Sequence, residues 1–197
     1  MTKETSTDIE PFYHHYPRLT VVVTAQAGER DNAMAVAWHM PVSRKPPLYA
    51  VSISPKRFTY ELILESKKFA INFLPASKAE LVAAVGGSKG REIDKFQTFK
   101  IVNDNPIKTK APILKAAYAA YECKVVDDSP FGDHRLLVGE ILAVHYQKEV
   151  FTQNETLNLE KVSPVLYLGS DQYLGISDYI VRTLDRECWV NYLKGQL

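Results

Sequence analysis

The chemistry-bearing part of the chain runs from Asn32 to Thr59. Its first portion, NAMAVAWHMPVSRKPPLYAVSIS (32–54), passes through small residues into Trp38 and His39, breaks at Pro41 and the Pro46-Pro47 pair, and resumes with alternation. Two extended segments joined by a proline-rich bend make a wall for a flat ring. Small side chains let the ring approach the backbone, whose N–H and C=O groups can read its edge. Just beyond stand Lys56, Arg57 and Thr59, at the expected start of a helix. Helix N–H groups, a hydroxyl and a guanidinium together favour a dianion. The same residues also read as an ordinary N-cap beside solvated charges.

Other chemistries are excluded by what the sequence lacks. No GxGxxG follows a strand, so a Rossmann dinucleotide site is not expected, and GGSKGR (86–91) lacks the G-K-[ST] ending of a phosphate loop. There is no GxSxG elbow and no HExxH. His14, His15, His39, His134 and His145 have no partner at metal-ligand spacing, so no metal is expected. Cys123 and Cys188 form no CxxC and no disulfide framework, which reads as a reducing cytoplasm. Basic residues number 24 against 23 acidic, which argues against a nucleic-acid platform. The first residues lack the apolar centre of a signal peptide, and no apolar run reaches the ~18 residues that would suggest a membrane span.

The elements that must position these residues are mainly β. LTVVVT (19–24) reads as a buried strand, and AGERDN (27–32) as the turn that pairs it with 33–39. LYAVSIS alternates with period two, placing Ser52 and Ser54 on one face and Ile53 on the other. A short helix is predicted near Thr59, a strand at 69–74, and a second helix over 77–86 with Ser77 as cap and Gly86 as stop. Residues 86–96 read as a charged loop or helical turn and 97–113 as irregular. Long strands at 116–126 and 135–150 flank a tight turn at 127–134, and 165–169 closes the set, with 176–197 part helix. About seven strands without regular βαβ alternation favour a closed antiparallel barrel over a sandwich, because closure removes edges.

Seven segments, in order, carry a family likeness: NAMAVAWHMPVS with PPLYAVSIS (32–54), RFTYELI (57–63), FAINFL (69–74), SKGREIDKF (88–96), YECKV (121–125), GDHRLLVGEI (132–141) and SPVLYLGSDQY (163–173). In these the chain resembles the flavin reductase-like proteins, the FMN-binding split barrels that include NAD(P)H:flavin oxidoreductases, flavoredoxins and archaeal ferric reductases. The resemblance implies a six-stranded antiparallel Greek-key split β-barrel over residues 16–173, after a lead-in at 1–15 and before an extension at 174–197. It implies a homodimer with FMN near the subunit interface. The activity implied is hydride transfer from NADH or NADPH to flavin and on to free flavin, a ferric complex or a partner protein. The alternative is a flavoredoxin-like electron carrier with little NAD(P)H activity.

The resemblance also implies roles for residues. Asn32, Ala33 and Met34 match a segment lying along the flavin, and Asn32 can donate and accept; closing the 27–32 turn is its other role. Ala37 stands where the family more often has Ser, so only backbone contact carries over there. Trp38 is expected to fill the barrel core. Ser52, Ile53 and Ser54 match a strand giving backbone and hydroxyl contacts to the ring. Arg57 and Thr59 match the phosphate site. Lys89, Lys95 and Phe96 belong to a segment placed over the cofactor, Lys95 for phosphate or ring and Phe96 for packing. His134 matches a position near the flavin and nicotinamide, where it supplies orientation and charge. Cys123 is expected to be a buried strand residue. The extension at 174–197 is expected to cross the dimer interface or cap the site.

Overall fold

The computed structural model describes residues 2–9 and 14–177. Its strands are β1 (Arg18–Leu19), β2 (Val21–Ala27), β3 (Arg30–Val36), β4 (His39–Arg44), β5 (Pro47–Ile53), β6 (Lys68–Phe73), β7 (Asn103–Asp104), β8 (Ile113–Leu114), β9 (Ala119–Phe131), β10 (His134–Tyr146), β11 (Leu166–Gly169) and β12 (Gln172–Leu174). Three short helices are interposed: α1 (Phe58–Ser66), α2 (Ala79–Gly87) and α3 (Lys95–Thr98).

The main sheet is antiparallel, ordered β3-β2-β6-β9-β10-β5-β4. Its two end strands, β3 and β4, are consecutive in the chain and separated only by Ala37 and Trp38. One bent strand therefore pairs with β2 through its first half and with β5 through its second, and the sheet curls until its ends meet at that corner. Counted this way the barrel has the six expected staves. A small sheet, β1-β11-β12, lies beside it.

Burial explains the sequence pattern. Val21 and Val23 face the barrel interior with Ile71, Val51, Ile53 and Leu137. Val22 faces outward and is equally buried, under Val82 and Val85 of α2. Both faces of β2 are covered, so its apolar run is continuous. At Gly139 of β10 a Cβ would come within 2.6 Å of the Phe69 ring and 2.8 Å of the Cys123 Cβ. The missing side chain lets β10 close over Phe69.

Several local expectations are corrected. The tight turn at 127–134 is mostly strand: β9 continues to Phe131, and only Gly132, with φ of 60°, and Asp133 turn the chain. Pro41 does not break the run but lies in β4 at a register shift. β4 ends the sheet order, where a missing N–H is tolerated. Helix α2 runs to Gly87 and follows a 3-10 turn, with no side-chain cap from Ser77 or any other residue. Trp38 is not in the core: at the barrel corner it is 36% exposed and donates its Nε1–H to the Tyr16 hydroxyl at 3.0 Å. Cys123 is buried as expected, and burial pushes its thiol up to about 12. Cys188, the predicted helix at 176–197 and nearly all of the extension lie outside the described residues.

The segment expected to be irregular is tied down by one carboxylate. Glu122, fully buried on β9, accepts from the backbone N–H groups of Ile107 (2.8 Å), Lys108 (2.9 Å) and Thr109 (2.6 Å) and from the Thr109 hydroxyl (2.8 Å). His145 Nε2 lies 2.8 Å from Oε1, the oxygen that also accepts from Ile107. Burial works against this charge, but these donors outweigh it and hold the carboxyl at about 2.

Candidate functional site

Past the corner the two halves of the barrel part. Ser52 N–H donates to the Trp38 carbonyl at 2.8 Å, but β3 then follows β2 while β5 follows β10. The chain leaving β5 turns at Ser54 and enters α1. A cleft of about 510 Å³ opens between these walls. Asn32 and Met34 of β3 line one side, and Ser54 with residues 56–59 the other. The end of α2 and the 88–95 segment complete it.

The start of α1 forms one end of the cleft. Arg57, not Thr59, occupies its cap position, in extended conformation and with no side-chain cap bond. The leading helical N–H groups are left without a side-chain partner, and the helix dipole adds positive potential there. Thr59 is the second helical residue, 1% exposed, and its hydroxyl accepts from Asn32 Nδ2 at 2.9 Å. That leaves the hydroxyl proton of Thr59 to be donated, and no acceptor for it stands among the described residues. The alternative reading of Thr59 as an ordinary N-cap does not hold.

Lys95 is 3% exposed, and its Nζ donates to the carbonyls of Ala33 (2.8 Å) and Val85 (2.6 Å). Burial, helped by the nearby Arg57 charge, brings its ammonium down to about 8. Two of its three N–H bonds are committed, so it can give one to a ligand. Gly90 lies against Asn32, where a Cβ would fall 2.3 Å from Oδ1. Arg91 reaches across to Glu61 (2.5 Å) and the Lys56 carbonyl (3.3 Å) and so fastens the 88–95 segment to α1.

The cleft thus gathers Asn32, Met34, Ser54, Arg57, Thr59, Lys89 and Lys95 from the sequence reading. Lys56, read beside Arg57 in the sequence, lines it too, and Gly90 and Arg91 are added. Other candidates lie elsewhere. The Ala33 side chain is fully buried against the outer cluster, and only its carbonyl serves the site, through Lys95. Ile53 faces the barrel core at 1% exposure. Phe96 packs on the outer cluster with Val82 and Leu114. Ala37 lines a separate pocket of about 220 Å³ with Thr20 and Tyr173.

Ser52, Trp38 and His134 form a neighbouring surface. The Trp38 and His134 rings stand 5.1 Å apart, and His134 Nδ1 is 2.8 Å from Asp133. Arg135 pairs with Ile53, which puts His134 level with Ser54 at the rim of the cleft.

Antiparallel barrel, split wall and cationic helix start define a split barrel with a positively charged cleft. Residues 13–174 match the family described as flavin reductase like domain. The chain belongs to that family. It is 35% identical over 167 residues to an uncharacterised protein of Pyrococcus abyssi, covering 85% of this chain and 95% of the relative. A ferric-chelate reductase (NAD(P)H) of Archaeoglobus fulgidus is 28% identical over 144 residues, covering 72% and 83% respectively. Among solved structures, the FMN-binding protein of Thermus thermophilus with bound 1-cyclohex-2-enone is 34% identical, covers 93% of this chain and 99% of its own, and superposes with a TM-score of 0.82.

Proposed function

We propose that the cleft holds FMN, with the phosphate at the start of α1, and that the protein is an oxidoreductase taking hydride from NADH or NADPH. The observation carrying this reading is the uncapped N-terminus of α1 beside Arg57, with the Thr59 hydroxyl oriented by Asn32. A phosphate dianion favours donors already held in place; the buried Thr59 hydroxyl is so held, and the exposed Arg57 adds its charge. The relatives support the same reading: one solved neighbour is an FMN-binding protein and one relative a ferric-chelate reductase.

Bound FMN supplies a ring able to accept a hydride and pass its electrons onward. The chain's own residues bind and orient. Arg57, Thr59 and the helix N–H groups hold the phosphate, and Lys95 adds a charge over the cleft. Asn32 fixes the Thr59 hydroxyl, and Met34 with Ser54 lines the walls. His134, braced by Asp133 and Trp38, is a positioning residue at the rim, where it orders and charges the approach of a donor. The acceptor is free flavin, a ferric complex or a partner protein. The assembly is a homodimer in a reducing cytoplasm; the exposed Met40, Val42, Phe131 and Tyr146 suit a covered surface.

The test is the absorption spectrum of purified protein after FMN addition and desalting, followed by anaerobic NADH or NADPH. Retained flavin absorbance that bleaches with NADH or NADPH supports the whole reading. Retained absorbance that bleaches with dithionite but not with either nucleotide makes the protein a carrier. A protein that retains no flavin and does not oxidise NADH or NADPH with free FMN removes the proposal. Sedimentation velocity checks the dimer, and a monomer at micromolar concentration would refute it.

A further inference from the structure

Two concavities meet at Arg91, and they carry opposite charge. Lys56, Arg57, Lys89, Arg91 and Lys95 line the cleft, with Glu92 as the one carboxylate among its lining residues. A groove of about 610 Å³ lies on the far side. Its lining holds Glu29, Asp31, Glu61, Glu92 and Asp94 against Arg30 and Arg91. Both arginines are already engaged: Arg30 with Glu61 (3.1 Å) and Glu65 (2.6 Å), Arg91 with Glu61. Partial burial and the neighbouring Asp94 raise the Asp31 carboxyl above the usual aspartate range, as expected where negative charges crowd.

Phe58, Gly90, Arg91 and Glu92 line both concavities and make the wall between them. The wall is braced. The guanidinium carbons of Arg91 and Arg30 lie 5.6 and 5.8 Å from the centre of the Phe58 ring, within cation–π range.

We infer that this wall selects nucleotide length: the cleft takes a flavin ending in a single phosphate and rejects one extended through a pyrophosphate to a second nucleoside. The inference rests on the phosphate-binding reading above. A monophosphate ends among cations at the start of α1. A dinucleotide whose second phosphate passes Phe58 and Arg91 enters a groove whose carboxylates outnumber its arginines. Opening the wall also takes Arg91 from Glu61, which then keeps only Arg30. Like-charge approach of this kind discriminates by repulsion rather than by added attraction. Its Coulombic part weakens with salt because the groove is open to solvent.

The experiment compares dissociation constants of flavin-free protein for FMN, FAD and riboflavin by fluorescence titration. The same titrations are run on the E29Q/D31N/D94N variant and on Glu92→Gln. Asn at position 94 keeps an oxygen for the Gln97 N–H that caps α3. In the wild type FMN is expected to bind at least about tenfold tighter than FAD, one like-charge encounter being enough for such a ratio. The triple variant is expected to tighten FAD at least about threefold with FMN within about twofold, and Glu92→Gln to move FAD the same way by less. Added salt should narrow the wild-type ratio. If FMN outbinds riboflavin but FAD matches FMN, or the ratio is the same in every variant, length selection by the wall is overturned and the phosphate reading survives. If FMN binds no tighter than riboflavin, the phosphate reading fails and this inference with it.

Discussion

The side-chain amide of Asn32 donates to the Thr59 hydroxyl across 2.9 Å, joining the β3 wall of the cleft to the start of α1. Both residues are nearly fully buried. The bond uses a lone pair of the hydroxyl and leaves its proton for a ligand.

Removing that donor should weaken phosphate binding, beside the stability cost of leaving the buried Asn32 amide without its acceptor. Thr59→Val keeps the shape and deletes the hydroxyl. A hydrogen bond to a charged group is worth about 1.5–3 kcal/mol, so FMN affinity should fall about tenfold to a hundredfold. Riboflavin, lacking the phosphate, should bind the variant and the wild type alike. An equal loss for both ligands would mean that the cleft had collapsed.

Gly90→Ala should reproduce the loss from a distance. A Cβ at residue 90 falls on the Asn32 amide, which must turn away and release Thr59. The expected result is weaker FMN binding with a urea midpoint close to wild type, since residues 88–94 are partly or fully exposed. Wild-type affinity in this variant would show that Asn32 does not orient the hydroxyl.

Lys95 sets a pH limit. Its ammonium titrates at about 8, so its charge is present below that pH and lost above it. A flavin phosphate gains its second negative charge near ~6. FMN affinity should therefore rise through pH ~6 and fall through about 8. In Lys95→Gln, which keeps a donor for Ala33 or Val85, the upper limb should disappear. Isothermal titration from pH 5 to 9 reads both limbs; a flat profile above pH 7 in the wild type would contradict the assignment.

Glu122 governs acid stability. Its folded carboxyl is held at about 2, below the ordinary 4.5, so its contribution is fully present above 4.5 and is lost as pH falls toward 2. Glu122→Gln replaces one acceptor oxygen by a donor facing buried N–H groups. A loss of about 3 kcal/mol at pH 7 is expected, as for a broken buried charged network. The wild-type urea midpoint should decline between pH 4.5 and 2 more steeply than the variant's. Parallel curves would remove Glu122 as the source.

The repeating structure was legible in the sequence because it follows from local periodicity. The alternation at 48–54 and the valine run at 21–23 both correspond to strands whose faces are buried as their patterns imply. The turn at Gly28, with φ of 59°, is likewise a local signal. Hidden features depended on distant partners. Nothing near Glu122 in the chain shows that its donors come from 107–109, and nothing near Gly90 shows that Asn32 lies against it. Trp38 looked like a core residue because it is large; the bend that moves the strand from one sheet edge to the other brings it to the surface. Thr59 was legible as lying near the start of α1, but its alternative reading as a cap fails, because cap rules describe residue types and cannot show that Arg57 takes that position. Arg91 was passed over as one charge among many in a loop, although it separates two concavities of opposite sign.

The most direct test of the phosphate site is a pair of affinities, FMN and riboflavin, on wild type and Thr59→Val at one ionic strength. FMN should bind the wild type at least about tenfold tighter than riboflavin, and most of that difference should vanish in the variant. Equal affinities of the wild type for the two ligands would contradict the assignment of the α1 terminus as a phosphate site.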